Sequence, residues 1–180
     1  MNAQGQQRNL PLEGALPESR PMVTVRVATI ADIALIGSFI AELAAYDNEL
    51  SQVCTTETDL VRDGFGENPQ YRVLIGEWCG QPVGFAVFFS YYSTWRGAGL
   101  YLEDLFVCPE FRRRGIGTAL LAMVARTAER ENRNFVRWVV LNWNQPAREM
   151  YRSLGAEVLD EWRVFLLSGE ELRQLAARNA

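Results

Sequence analysis

Residues 110–121 read EFRRRGIGTALL. Arg112, Arg113 and Arg114 crowd together, Gly115 and Gly117 follow at spacing two, and an apolar run begins behind them. Two readings fit these residues alone. One is a solvated basic turn ahead of a helix. The other is a nest of backbone N–H groups for a diphosphate. A helix N-terminus leaves donors unsatisfied and carries partial positive charge. Glycines let the backbone curl close to a ligand, and guanidinium forks suit phosphate oxygens. The stretch is not a P-loop, because no Gly-Lys-Ser/Thr follows. It is not a dinucleotide fingerprint either, because Leu120 stands where the third glycine belongs.

The flanks define its setting. "LYLEDLFV" (100–107) reads as a strand that Pro109 stops. Behind the glycines, Ile116, Ala119, Leu120, Met123 and Val124 fall on one helical face. Further out, "MVTVRVA" (22–28) alternates as a strand, and Thr29 with Asp32 makes a capping box. Ile33, Ile36, Ile40 and Leu43 predict an amphipathic helix to about Ala45. Thr56 and Asp59 repeat the capping signal for a second helix ending near Gly64. Residues 71–78 and 83–92 flank "CGQP" as a hairpin, with a turn at "STWRGAG". Residues 134–141 read as a strand. Asn144 and Pro146 open a helix with an inner face of Ala147, Met150, Tyr151 and Leu154, ended by Gly155. "RVFLL" (163–167) reads as a last strand, and Ser168 with Glu171 opens a short helix.

The order is β-α-α-β-β-β-α-β-α-β-α, an α/β class. Residues 1–21 read as a flexible tail, and 22–180 as a single domain. The tail has no apolar core of a signal peptide, and no run approaches the ~18 apolar residues of a membrane span. A cytoplasmic location is expected, with no membrane partner.

Composition narrows the chemistry. The 180 residues are 48% hydrophobic, enough for one sizeable core. The net charge of −4 argues against a nucleic-acid partner and for cationic small molecules. The chain has no His, and all 18 basic residues are Arg. The commonest general base and metal ligand is therefore missing, and so is a Schiff-base lysine. Cys54, Cys79 and Cys108 have no metal-site spacing, and no metal is expected. Asp, Glu, Tyr and Cys remain as proton carriers.

Arg112-x-x-Gly115-x-Gly117, after a strand and before a helix, resembles the acyl-CoA-binding motif of the GNAT superfamily of N-acetyltransferases. The resemblance runs from about residue 23 to 176. Six landmarks in order, "YDNELSQV", "DGFGENP", "YSTWRG", "YLEDLFV", "NWNQPA" and "MYRSLGA", are similar to the spermidine/spermine (diamine) and thialysine acetyltransferases. The resemblance implies a mixed, mostly antiparallel twisted sheet of about six to seven strands with helices on both faces. It implies an acetyl-CoA-dependent transfer to a primary amine of a small cationic molecule, and a homodimer whose C-terminal strands meet or exchange.

It also implies roles. A backbone N–H within Leu105, Phe106 and Val107 would polarise the thioester. Arg113, Arg114, Gly115, Ile116, Gly117 and Thr118 would hold the pyrophosphate, with Arg112 opening the cofactor-binding motif. Asn144 and Ala147 would line the pantetheine arm. Tyr151 matches the general acid for the departing thiolate; from the residues alone, an aromatic on an apolar helix face is the simpler reading. Glu103 would act as base at the amine, through water. As regular strand neighbours, Glu103 and Asp104 point to opposite faces. Asp104 could hold an ammonium or serve structure. An acyl-enzyme on Cys108 is disfavoured, since no His or Lys is present to lower its pKa.

Candidate amine contacts are Tyr46, Asp47, Trp95, Glu103, Asp104, Asp160 and Glu161. Leu50, Ser51 and Ser93 stand where the polyamine enzymes are more acidic. That makes a small diamine or a thialysine-like amino acid at least as good a fit as a polyamine. Acetylation of a peptide or protein N-terminus, or acyl-CoA binding without catalysis, are the alternatives.

Overall fold

The computed structural model describes residues 22–178. The tail expected at 1–21 lies outside the described residues. The chain divides into two compact units between Trp138 and Val139.

In the first unit, β1 (Val23–Val27), β2 (Arg72–Trp78), β3 (Gln81–Ser93) and β4 (Gly97–Val107) form an antiparallel meander. β5 (Val136–Arg137) adds in parallel to β4, after a helical crossover. Thr29 and Asp32 form their expected reciprocal cap, which opens a short 3₁₀ turn ahead of α1 (Ile33–Tyr46). Thr56 and Asp59 do the same for α2 (Glu57–Phe65), with Thr56 Oγ1 accepting from the Asp59 N–H at 3.2 Å. Cys79 and Gly80, both at positive φ, make the two-residue turn between β2 and β3. Such a turn matches the strand twist.

Alternation along the strands sorts two layers. Val73, Ile75, Phe85, Val87 and Phe106 pack with Ile33, Ile36, Phe39 and Leu60 beneath α1 and α2. On the other face lies α3 (Ile116–Arg130). A Cβ built on Gly76 would sit 2.8 Å from Ile116 Cγ2, so the missing side chain lets α3 lie close on the sheet.

Three expectations are corrected. Among the described residues the sheet has five strands, not six or seven. The strand expected over 134–141 pairs only at Val136 and Arg137, against Leu100 and Tyr101. Its ladder stops just short of a β-bulge in β4. There Val87 pairs with Asp104 and Phe88 with Leu102, leaving Glu103 as the extra residue. A bulge bends and over-twists its strand, and β5 does not pair with β4 beyond it. The second expected strand, 163–167, joins no ladder among the described residues, and Val164, Phe165 and Leu166 are 79%, 94% and 86% exposed.

The second unit carries α4 (Gln145–Ser153) and α5 (Gly169–Ala176). Asn144 Oδ1 accepts from the Ala147 N–H at 3.3 Å, with Pro146 in the first turn. Gly155 ends α4 at φ +85. Ser168 precedes α5 without a side-chain cap bond. Among the described residues no helix is long and apolar enough to cross a membrane.

Candidate active site

The bulge decides the acidic side of the site. In a classic bulge the two residues opposite one partner turn their side chains to the same side of the sheet. Asp104 shares the face of Val87, which lies under α1 and α2, and Glu103 joins it there. The expectation that the two carboxylates face apart is therefore corrected. Asp47 at the C-terminus of α1 comes to the same place. Burial, helped by Glu103 and Asp47, pushes the half-buried Asp104 carboxyl up to about 6. Burial and Glu49 also raise Asp47. Among the described residues no arginine forms an ion pair with Asp47, Glu103 or Asp104; a bound cation would relieve their mutual repulsion.

A stability test follows from Asp104. Its folded pKa lies above the ordinary 3.8. The protonated group is therefore matched to the fold, and its stabilisation is complete below about pH 4 and lost as pH rises through about 6. Asp104→Asn should be more stable than the parent at pH 8, by about 1–3 kcal/mol, and indistinguishable from it below pH 4. Urea midpoints at the two pH values read this directly. An equal midpoint at pH 8 would mean that Asp104 carries no buried charge.

Beyond the bulge β4 runs on to Val107, while its ladder with β5 ends at Tyr101. Over Leu102–Val107 the outer backbone edge has no strand partner among the described residues. That edge contains the Leu105, Phe106 and Val107 amides expected at the thioester. The Phe106 side chain itself is core, with its ring 6.1 Å from Phe39 and 6.4 Å from Phe85.

The edge leads into the arginine loop. Arg112 Nε donates to the Val107 carbonyl at 2.9 Å, and its guanidinium lies 4.3 Å over the Tyr46 ring. Arg112 thus clips the loop to the strand end. Tyr46, expected at the amine, packs under this clip. Arg114 stacks on Trp78 at 4.9 Å and Phe111 at 5.3 Å. Arg113 takes φ +63 and Gly115 φ +84. Gly115 is the N-cap of α3 with no side-chain cap bond, and among the described residues nothing accepts from the first-turn amides of Ile116, Gly117 and Thr118. A Cβ on Gly115 meets nothing within 4 Å. Open space before an uncapped helix N-terminus, flanked by exposed Arg113 and Arg114, fits a diphosphate.

The sequence model of the acetyltransferase (GNAT) family matches residues 40–156. The chain belongs to the GNAT acetyltransferase family. It is 38% identical over 167 residues to a thialysine N-epsilon-acetyltransferase of Bos taurus, covering 87% of this chain and 98% of that one. It is 36% identical over 162 residues to the human spermidine/spermine N(1)-acetyltransferase-like protein 1, covering 84% of this chain and 23% of that longer protein. Among solved structures, an integron cassette protein of Vibrio cholerae superposes with a TM-score of 0.72 at 25% identity, over 88% of this chain and all of that one. This GNAT protein is an N-acetyltransferase.

The remaining expected residues of the enzyme belong to other elements. Asn144, Ala147 and Tyr151 share α4 and its cap in the second unit. The Ala147 N–H is already bonded to Asn144. Burial pushes the Tyr151 phenol up to about 12. Asp160 and Glu161 are exposed in the turn before Trp162. Trp95 is 82% exposed at the β3–β4 turn. Glu103 lies six strand positions beyond Gly97, about 20 Å along β4, so Trp95 and Glu103 of one chain do not share a small ligand. Sequence reasoning missed the bulge and the aromatic rings under Arg112 and Arg114. Register and long-range stacking leave no local pattern to read.

Proposed function

We propose that this GNAT enzyme moves an acetyl group from acetyl-CoA directly to a primary amine of a small cationic molecule, a diamine, a polyamine or a thialysine-like amino acid. The observation that carries this is the bulge, which sets Glu103 and Asp104 together beside Asp47 at the start of an open strand edge. Three acids on one face select an ammonium. The strand edge and the uncapped N-terminus of α3 supply backbone donors in a line suited to an acyl-pantetheine arm and its diphosphate.

In this reading Glu103, exposed on that face, takes the ammonium proton through a water, and Asp104 and Asp47 hold the cationic amine. An amide within Leu105–Val107 donates to the carbonyl oxygen as it gains charge. Tyr151 donates to the leaving sulfur. Residues 22–180 act as one domain. The assembly is a cytoplasmic homodimer, and the exposed apolar side chains of Val164, Phe165 and Leu166 support the pairing of two copies.

Release of CoA thiol from acetyl-CoA tests the reading over a panel of spermidine, putrescine, thialysine, lysine and a peptide N-terminus. Turnover of small amines with kcat/KM at least about 10³-fold above the peptide is expected. A preference for the peptide would move the enzyme to N-terminal acetylation. Silence with tight acetyl-CoA binding would leave an acyl-CoA-binding protein.

A further inference from the structure

The face that carries Glu103 and Asp104 also carries a guanidinium. Arg137 of β5 is the register partner of Tyr101, so the two side chains share a face. Tyr101 and Glu103 are two positions apart on β4, about 7 Å. Arg137 Nη1 reaches the Tyr91 hydroxyl at 3.4 Å. The Tyr91 ring lies 5.9 Å from Tyr101, and the Tyr101 ring stacks on Phe89 at 5.3 Å. All four side chains are half-buried. The Tyr101 phenol, raised chiefly by burial, feels both ends of this arrangement: Glu103 pushes it further up and Arg137 pulls it down. The result is an aromatic floor with carboxylates at one end and a guanidinium at the other.

We propose that Arg137 binds the α-carboxylate of an amino-acid substrate whose side-chain amine is held at Glu103 and Asp104. The proposal rests on the amine-acetylating reading above and narrows its substrate class. A polyamine has positive charge at both ends, and its far end would meet Arg137 with like charge. A lysine-length amino acid has the opposite polarity to the floor and is complementary at both ends. A guanidinium presents five donors in a planar fork, a geometry that takes a carboxylate with a short charge-assisted bond. The guanidinium on the other side of the acids, Arg112, lies flat on Tyr46 with its Nε on the Val107 carbonyl. That orientation ties it to the loop.

The test uses two matched pairs that differ only by the carboxylate: thialysine against 2,2′-thiobis(ethylamine), and lysine against cadaverine. The full chain should prefer the amino acid of each pair by about tenfold or more in kcat/KM. Arg137→Gln should raise KM for the amino acids by about 10–100-fold, with kcat changed less, and raise kcat/KM for the diamines a few-fold. Arg137→Lys, which keeps charge but loses the fork, should fall between. Equal loss on both members of each pair would overturn the proposal, as would a selectivity change seen in Arg112→Gln and absent in Arg137→Gln. If the parent turned over no amine, the amine-acetylating reading would fail by itself. Calorimetric binding of lysine against cadaverine would then decide Arg137, because tighter lysine binding that Arg137→Gln abolishes supports it and equal binding overturns it.

Discussion

Tyr151→Phe is expected to lower kcat by about 10²–10³-fold while acetyl-CoA affinity stays within about twofold. The change removes one oxygen and keeps the ring, so the packing of α4 should survive. The expected loss is that of a donor aimed at the leaving sulfur. Burial, which penalises the phenolate, pushes this phenol up to about 12. The sign matters for the pH profile. A raised phenol stays protonated through neutral and moderately alkaline pH and remains a donor there. Ionisation of Tyr151 should therefore leave the kcat profile flat up to about pH 11. A descending limb near pH 10 that disappears in the Phe variant would contradict the buried phenol. Full activity in Tyr151→Phe, with acetyl-CoA binding intact, would remove the residue from the mechanism.

Gly115→Val should weaken acetyl-CoA binding by about 100-fold or more and leave a folded protein. Two effects act at this position. The backbone at φ +84 is left-handed, and a side chain there costs roughly 1–2 kcal/mol, more when β-branched. The position is otherwise open, with nothing within 4 Å of a built Cβ, so the side chain does not collide with the fold. It would fill the space before the first-turn amides of α3. Gly115→Ala separates the two effects, because it has the strain with less bulk. The expected order is a loss of thermal stability in both variants, somewhat greater in Val, and a much larger loss of affinity in Val. Calorimetry with acetyl-CoA and thermal melts make the comparison. Unchanged affinity in Gly115→Val would sink the diphosphate reading of the loop.

Both variants sit on elements that local chemistry made legible. A capping box at Thr29 or Thr56 needs residues only three apart, and both formed. The helix after Gly115 announces itself by its apolar spacing, and the glycine by the turn it must make. The arginine triplet was legible as a charged loop, but the separate surroundings of its three side chains were not. Two of the three guanidiniums stack on rings contributed by α1, β2 and the turn after β4. The short reach of β5 and the absence of a ladder at 163–167 were not legible, because an apolar run states a preference for burial without naming its partner strand.

The sequence by itself determined the helices, the first four strands and the order in which these follow one another, and the loop where a helix N-terminus is left open beside glycine. Those features depend on neighbours within a turn or two along the chain. Only the tertiary structure decided the acidic site. Glu103 and Asp104 face together because β3 and β4 pair with one residue to spare, and that residue is set by the whole register of the hairpin. Asp104 rises to about 6 because folding removes water from it and brings Asp47 from the end of α1. Arg137 faces Tyr101 because the crossover through α3 returns β5 in parallel at that register. Desolvation and like-charge repulsion act through space, so a chain read one residue at a time cannot show them.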